Sequence, residues 1–91
     1  MNKSDLIQVV ADKSEMTKKQ AEIAVNATFD AITENLQSGD RVQLIGFGQF
    51  ETRKREARKV RNPRTGEEIQ VAASNAPAFK PGKRLKEAVN L

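Results

Sequence analysis

Seven Lys or Arg side chains fall within the twelve positions Arg53 to Arg64, with Glu56 the only acid among them. They are Arg53, Lys54, Arg55, Arg58, Lys59, Arg61 and Arg64. Chemically this is a comb of positive charge. Such a comb displaces counterions condensed on a polyanion, so it holds phosphates without reading sequence and weakens as salt rises. Arg adds a planar fork that reaches several acceptors at once. The plainer reading is a solvated face. The borders of the run favour binding, because strand-like patterns flank it and Asn-Pro-Arg-Thr-Gly at 62–66 is a specific turn signal.

Pro63 is the apolar residue at this turn. Two roles stay open for it. It can be turn chemistry alone, or it can be a rigid wedge that unstacks one base step once a charged arm has carried it into a groove. A second basic set lies at Lys80, Lys83 and Lys86. It suits the dipole at the end of a helix, and together with Lys3 it could form a further phosphate-contacting flank.

What is missing narrows the chemistry. The chain has no His and no Cys, so it lacks the commonest general base, the commonest transition-metal ligand and the thiol nucleophile. Asp5, Asp12, Glu15, Glu22, Asp30 and Glu34 read as solubilising helix faces and not as a metal or hydrolase cluster. This argues against an enzyme, and no cofactor or metal is expected. The opening MNKSDLIQVV has no apolar run of signal-peptide type, and no stretch could span a bilayer. A soluble, intracellular protein with no membrane partner is expected.

Charge is segregated. Of the net +4, the run Arg53 to Arg64 carries +6 and residues 80–91 carry +3, which leaves −5 for the rest. With a pI of about 9.7, this is the footprint of a polyanion binder. RNA or a ribosomal site stays open as an alternative partner, since an arm that tracks phosphates does not by itself choose a duplex.

The elements that hold these groups can be read from pattern. Residues 1–38 predict two helices. Asn2 can cap the first, with Asp5 in its opening turn, and Thr17 with Gln20 forms a capping-box pattern for the second. Gly39 is placed to end that helix in a left-handed conformation. The second helix carries Ala21, Val25, Thr28, Ile32 and Leu36 as one stripe, widened by Ala24, Ala27 and Ala31. So wide an apolar face is expected to meet another subunit, unless the hairpin after residue 40 covers it.

From Asp40 the pattern alternates, with Val42, Leu44 and Phe50 inward. Gly46 and Gly48 allow a tight turn, and Phe47 between them needs a pocket. The strand from Gln49 is expected to run on through the cations and return through Ile69, Val71 and Ala73. A type I turn, with Asn62 first and Pro63 second, should join the two limbs. The outgoing limb, Arg53 to Asn62, would span roughly 30 Å. A strand with Phe79 and a short helix with Leu85, Ala88 and Val89 should close the chain. The whole reads as one α+β domain, 1–91, with a helical dimerisation part (1–38), a sheet (40–80) whose arm covers about 53–75, and a C-terminal helix (82–91).

The segments GFGQF, RNPRTG and PAFKPGKRLK, in this order and at these separations, make the chain resemble the bacterial histone-like HU family, which includes integration host factor. The resemblance covers nearly the whole chain. It implies a helical hairpin, a three-stranded antiparallel sheet with a protruding β-ribbon arm, a short C-terminal helix and an intertwined homodimer. It implies two arms in the minor groove of double-stranded DNA, a device for which HU and integration host factor are known examples. The wedge role would fall to Pro63. Arm contacts would fall to Arg53, Arg55, Arg58, Arg61, Asn62 and Arg64, beside Lys54 and Lys59 of the same run. Flank contacts would fall to Lys3, Lys80, Lys83 and Lys86, and the dimer core to Phe29, Phe47, Phe50 and Phe79.

Such a protein would bend and compact DNA with little sequence preference, would favour kinked or nicked duplex, and would sit on the bacterial nucleoid in the cytoplasm. The dense arm charge points to the HU branch. A sequence-preferring subunit of the integration-host-factor type, pairing with an unlike chain, stays open. Two positions depart from the family pattern: Val60 stands where Gly is usual, and Ala72 where Pro is common. Val60, β-branched, should stiffen the arm.

Overall fold

The computed structural model describes residues 1–90. It forms two compact units, one from Met1 to Glu34 and one from Asn35 onward. Among the described residues no helix is long and apolar enough to cross a membrane.

Helix α1 (Lys3–Ser14) begins at a reciprocal cap. Asp5 N–H donates to Asn2 Oδ1 (2.9 Å) and Asn2 N–H donates to Asp5 Oδ2 (3.1 Å). Two otherwise orphaned backbone donors are thus satisfied at once. Asp5 therefore does more than the dipole role its position suggested. Helix α2 (Lys18–Gln37) starts on the expected box: Gln20 N–H donates to Thr17 Oγ1 (3.1 Å) and Thr17 N–H to Gln20 Oε1 (3.0 Å). It ends at Gly39, whose φ is 86°. Gly39 N–H donates to Leu36 O and Asp40 N–H to Asn35 O, the paired bonds of a Schellman close.

The helical unit buries little. Ile7, Ala11, Ala21 and Val25 are its buried apolar residues, with Leu6, Val10 and Met16 packed around them. Leu6, Val10, Ala24, Val25, Thr28 and Phe29 line an open apolar groove, and Phe29 is 47% exposed.

In the second unit, β1 (Val42–Leu44), β2 (Gly48–Arg55) and β5 (Ser74–Pro81) make an antiparallel sheet with β2 at its centre. Pro77 and Pro81 sit in β5, an edge strand, where a missing N–H is tolerated. β3 (Arg58–Arg61) and β4 (Glu68–Val71) form a separate two-stranded ribbon. Helix α3 (Lys83–Val89) follows Gly82. Its residue Val89 lies at the surface, 74% exposed. The last residue of the expected closing helix, Leu91, lies outside the described residues.

One expectation needs correction. The strand from Gln49 does not run unbroken through the cations. Arg55 pairs with Ser74 and Arg58 with Val71, so Glu56 and Ala57 on one limb and Ala72 and Ala73 on the other lie outside the ladders. Ala73 is thus not a strand position. Glu and Ala fit a pleated surface poorly, and four such residues facing each other interrupt the pairing.

Candidate nucleic-acid interface

The turn that precedes β2 depends on its glycines for two different reasons. Phe47 N–H donates to Leu44 O (3.0 Å), and Gly46 holds φ at 87° within that turn. Positive φ at the third place of a four-residue turn calls for Gly. Gly48 is required by space: a Cβ there would lie 2.7 Å from Lys80 O and from the Phe79 ring. This close approach seats Phe79 between Phe50 and Phe47, with ring centroids 4.8 Å and 5.5 Å away. The cluster forms the aromatic face of the sheet but stays open, with Phe47 46% and Phe79 39% exposed. Of the four Phe expected to act together, these three meet, while Phe29 belongs to the helical unit.

Because strand side chains alternate, the other face of β2 carries Gln49, Glu51, Arg53 and Arg55. Glu51 gathers its neighbours there. Arg53 Nε donates to Glu51 Oε1 (3.1 Å), Lys80 Nζ lies 3.4 Å from the same oxygen, and Gln49 Nε2 donates to Glu51 Oε2 (3.4 Å). The hydrogen bond from Arg53, aided by Lys80, holds the Glu51 carboxyl below its ordinary pKa against the opposing effect of desolvation. Sequence reading missed Glu51. The alternation of Gln49, Glu51 and Arg53 along one strand was the available signal, but Lys80 reaches the group only through the β2–β5 register.

Past Arg53, the cations are bare. Among the described residues Lys54, Arg55, Arg58, Lys59, Arg61 and Arg64 are exposed and have no ion-pair partner. Arg61 stands opposite Glu68 in the register without pairing to it. At the tip, Asn62 organises the loop through both of its oxygens. Its Oδ1 accepts from Arg64 N–H (2.9 Å) and its carbonyl from Gly66 N–H (2.8 Å), with Gly66 at φ 74°. The closing bond therefore reaches one residue further than the four-residue turn expected, because Gly66 can take the positive φ. Pro63 is exposed at this tip. Lys83 lies 4.0 Å from Glu87 in an exposed i,i+4 pair, and Lys80, Lys83 and Lys86 are all exposed. Lys3 is exposed in the first turn of α1.

A short α+β chain whose sheet extends into an exposed ribbon of unpaired Arg and Lys belongs, by its geometry, to the class of polyanion-gripping proteins. The comparisons narrow the class. Residues 1–90 match the family described as bacterial DNA-binding protein. Over 89 residues the chain is 63% identical to DNA-binding protein HU of Geobacillus stearothermophilus, covering 98% of this chain and 99% of that one. It is 61% identical over 89 residues to DNA-binding protein HU 1 of Bacillus subtilis strain 168, covering 98% and 97%. Among solved structures, it resembles the chain in an Anabaena HU–DNA cocrystal structure, with TM-score 0.90, 47% identity and coverage of 98% and 97%. HU from Thermotoga maritima matches with TM-score 0.69, 36% identity and 98% coverage of both chains. The chain belongs to the bacterial DNA-binding protein family, within its histone-like HU group, as the motif resemblance implied. That family is one of DNA-binding proteins and not of enzymes.

Proposed function

We propose that two copies of this chain intertwine into a dimer that grips double-stranded DNA with its two ribbons, bends it and compacts it with little regard for sequence. The observation that carries this reading is the exposed ribbon of unpaired Arg and Lys ending at Pro63. Membership of the bacterial DNA-binding protein family and similarity to the Anabaena chain crystallised with DNA support it.

In this reading Arg53, Lys54, Arg55, Arg58, Lys59, Arg61, Asn62 and Arg64 hold the groove and its phosphates, and Pro63 is the wedge at each tip. Lys3, Lys80, Lys83 and Lys86 take phosphates on the flanks. The second copy covers the apolar groove beside Phe29 and the open cluster of Phe47, Phe50 and Phe79. The protein then sits on the nucleoid, in the cytoplasm of a bacterial cell.

Bending a short duplex by tens of degrees costs on the order of 1–6 kcal/mol, offset by the extra contacts that the bend allows. DNA already kinked or nicked avoids much of that cost and should bind more tightly. The test is a gel-shift titration at two salt concentrations with an intact duplex, the same duplex nicked, and a duplex of scrambled sequence. Nicked above intact, equal affinity for the two intact sequences and loss of affinity with salt are expected. Equal affinity for nicked and intact DNA would remove the wedge, and a strong preference for one intact sequence would replace this reading with a site-selecting one.

A further inference from the structure

Arg53 and Lys80 already hold an anion, and that anion belongs to the chain itself. Gln49 stands opposite Lys80 on β5, and Glu51 and Arg53 follow at alternate positions of β2, so the four side chains share one face of the sheet. Glu51 Oε1 takes both cations, Arg53 Nε at 3.1 Å and Lys80 Nζ at 3.4 Å. Charge-assisted bonds of this kind usually measure about 2.7–2.9 Å, so the carboxylate holds its partners loosely. It also lies beneath them: the Glu51 side chain is 14% exposed, against 58% for Arg53 and 57% for Lys80. An approaching polyanion meets the cations first.

Resting on the DNA-binding reading above, we propose that Glu51 is an internal stand-in for a phosphate, seated between Arg53 and Lys80 until a DNA phosphate displaces it. Glu51 thereby sets the affinity and the salt dependence with which the sheet takes hold of DNA. The chemistry of the face carries this. The hydrogen bond from Arg53, opposed by desolvation and aided by Lys80, keeps the carboxyl below its ordinary pKa and therefore ionised at neutral pH. An ionised carboxylate is an acceptor only. It cannot bond to a phosphate and competes with it for the same donors. The three strands of the sheet hold no other acid, so no other side chain of these strands can fill this place. The ribbon differs, because its unpaired cations take phosphates without giving up a partner. At the sheet one anion is exchanged for another, and the freed Glu51 draws a cation back from solution. Part of the counterion release that drives binding is lost in this way.

An ion pair that serves folding alone would leave DNA binding unchanged when the acid is removed. Glu51→Gln keeps the size of the side chain and one acceptor oxygen while removing the charge. It should tighten binding of an intact duplex severalfold at about 50 mM salt and steepen the decline in affinity toward about 200 mM. The gain should vanish when Arg53→Gln and Lys80→Gln are already present, because no seat is left to vacate. Parent-like affinity of Glu51→Gln would overturn the proposal. So would a gain of the same size without Arg53 and Lys80, which would mean only that a negative charge had been removed near DNA.

Glu51→Asp repeats the test at constant net charge, and it stands if the Gln variant loses the sheet, which melting without DNA would reveal. The carboxylate is drawn back by one methylene from both cations, so affinity should rise, though less than in Glu51→Gln. Affinity equal to the parent or below it would overturn the proposal. Failure of the parent protein to bind duplex would instead sink the DNA-binding reading itself, which makes the two failures distinguishable.

Discussion

Phe50 and Phe79 stand directly opposite each other on β2 and β5, with ring centroids 4.8 Å apart. The pair is the centre of an aromatic cluster that one chain leaves partly open. Offset aromatic pairs add to the burial of the rings themselves, and a second copy would complete that burial. Phe79→Ala should therefore cost about 3 kcal/mol and weaken association together with folding. Thermal melts at two protein concentrations check this. The midpoint should fall and depend more steeply on concentration, whereas an unchanged midpoint would mean that the cluster carries little.

Glu15 follows α1 with φ at 56°. A residue with a Cβ in this left-handed region costs roughly 1–2 kcal/mol, from which Gly is exempt. Glu15→Gly should stabilise the protein by about 1 kcal/mol after the entropy of the unfolded chain is counted. A rise of about 5 °C in the melting midpoint is the expected readout.

Glu51 links folding to pH. Its carboxyl is held below the ordinary pKa by Arg53 and then Lys80. The stabilisation is therefore fully present above the ordinary carboxylate pKa and is lost as pH falls through the lowered folded value. Denaturant midpoints of the parent should decline more steeply than those of Glu51→Gln as pH falls below the ordinary carboxylate range. Parallel curves would show that this ion pair adds nothing to stability.

The arm should separate affinity from bending. Arg55→Ala with Arg61→Ala should weaken DNA binding and shallow the salt dependence by roughly 0.9 in logarithmic slope for each phosphate no longer neutralised. Pro63→Ala should lower the bend, read by energy transfer between labelled duplex ends, more than it lowers affinity. A Pro63→Ala protein that bends DNA as well as the parent would leave Pro63 as a turn residue only.

The helices, the cap at Asn2, the capping pair Thr17–Gln20, the close at Gly39 and the charge of the arm were all legible along the chain, whereas the return bond from Asn2 N–H to Asp5 was not. Each depends on residues a few positions apart, where backbone geometry and side-chain type are enough. The special need at Gly48 was visible as a glycine, but its reason, the Phe79 ring and Lys80 carbonyl 2.7 Å from where a Cβ would sit, was not. The same holds for the grip of Glu51 on Lys80 and for the break at Glu56–Ala57 and Ala72–Ala73. These follow from strand register, and a shift of one residue would turn every side chain of a strand to the opposite face. By itself the sequence determined which groups are present and which local elements carry them. The tertiary pairing decided which groups meet, because register is set by contacts between residues far apart in the chain.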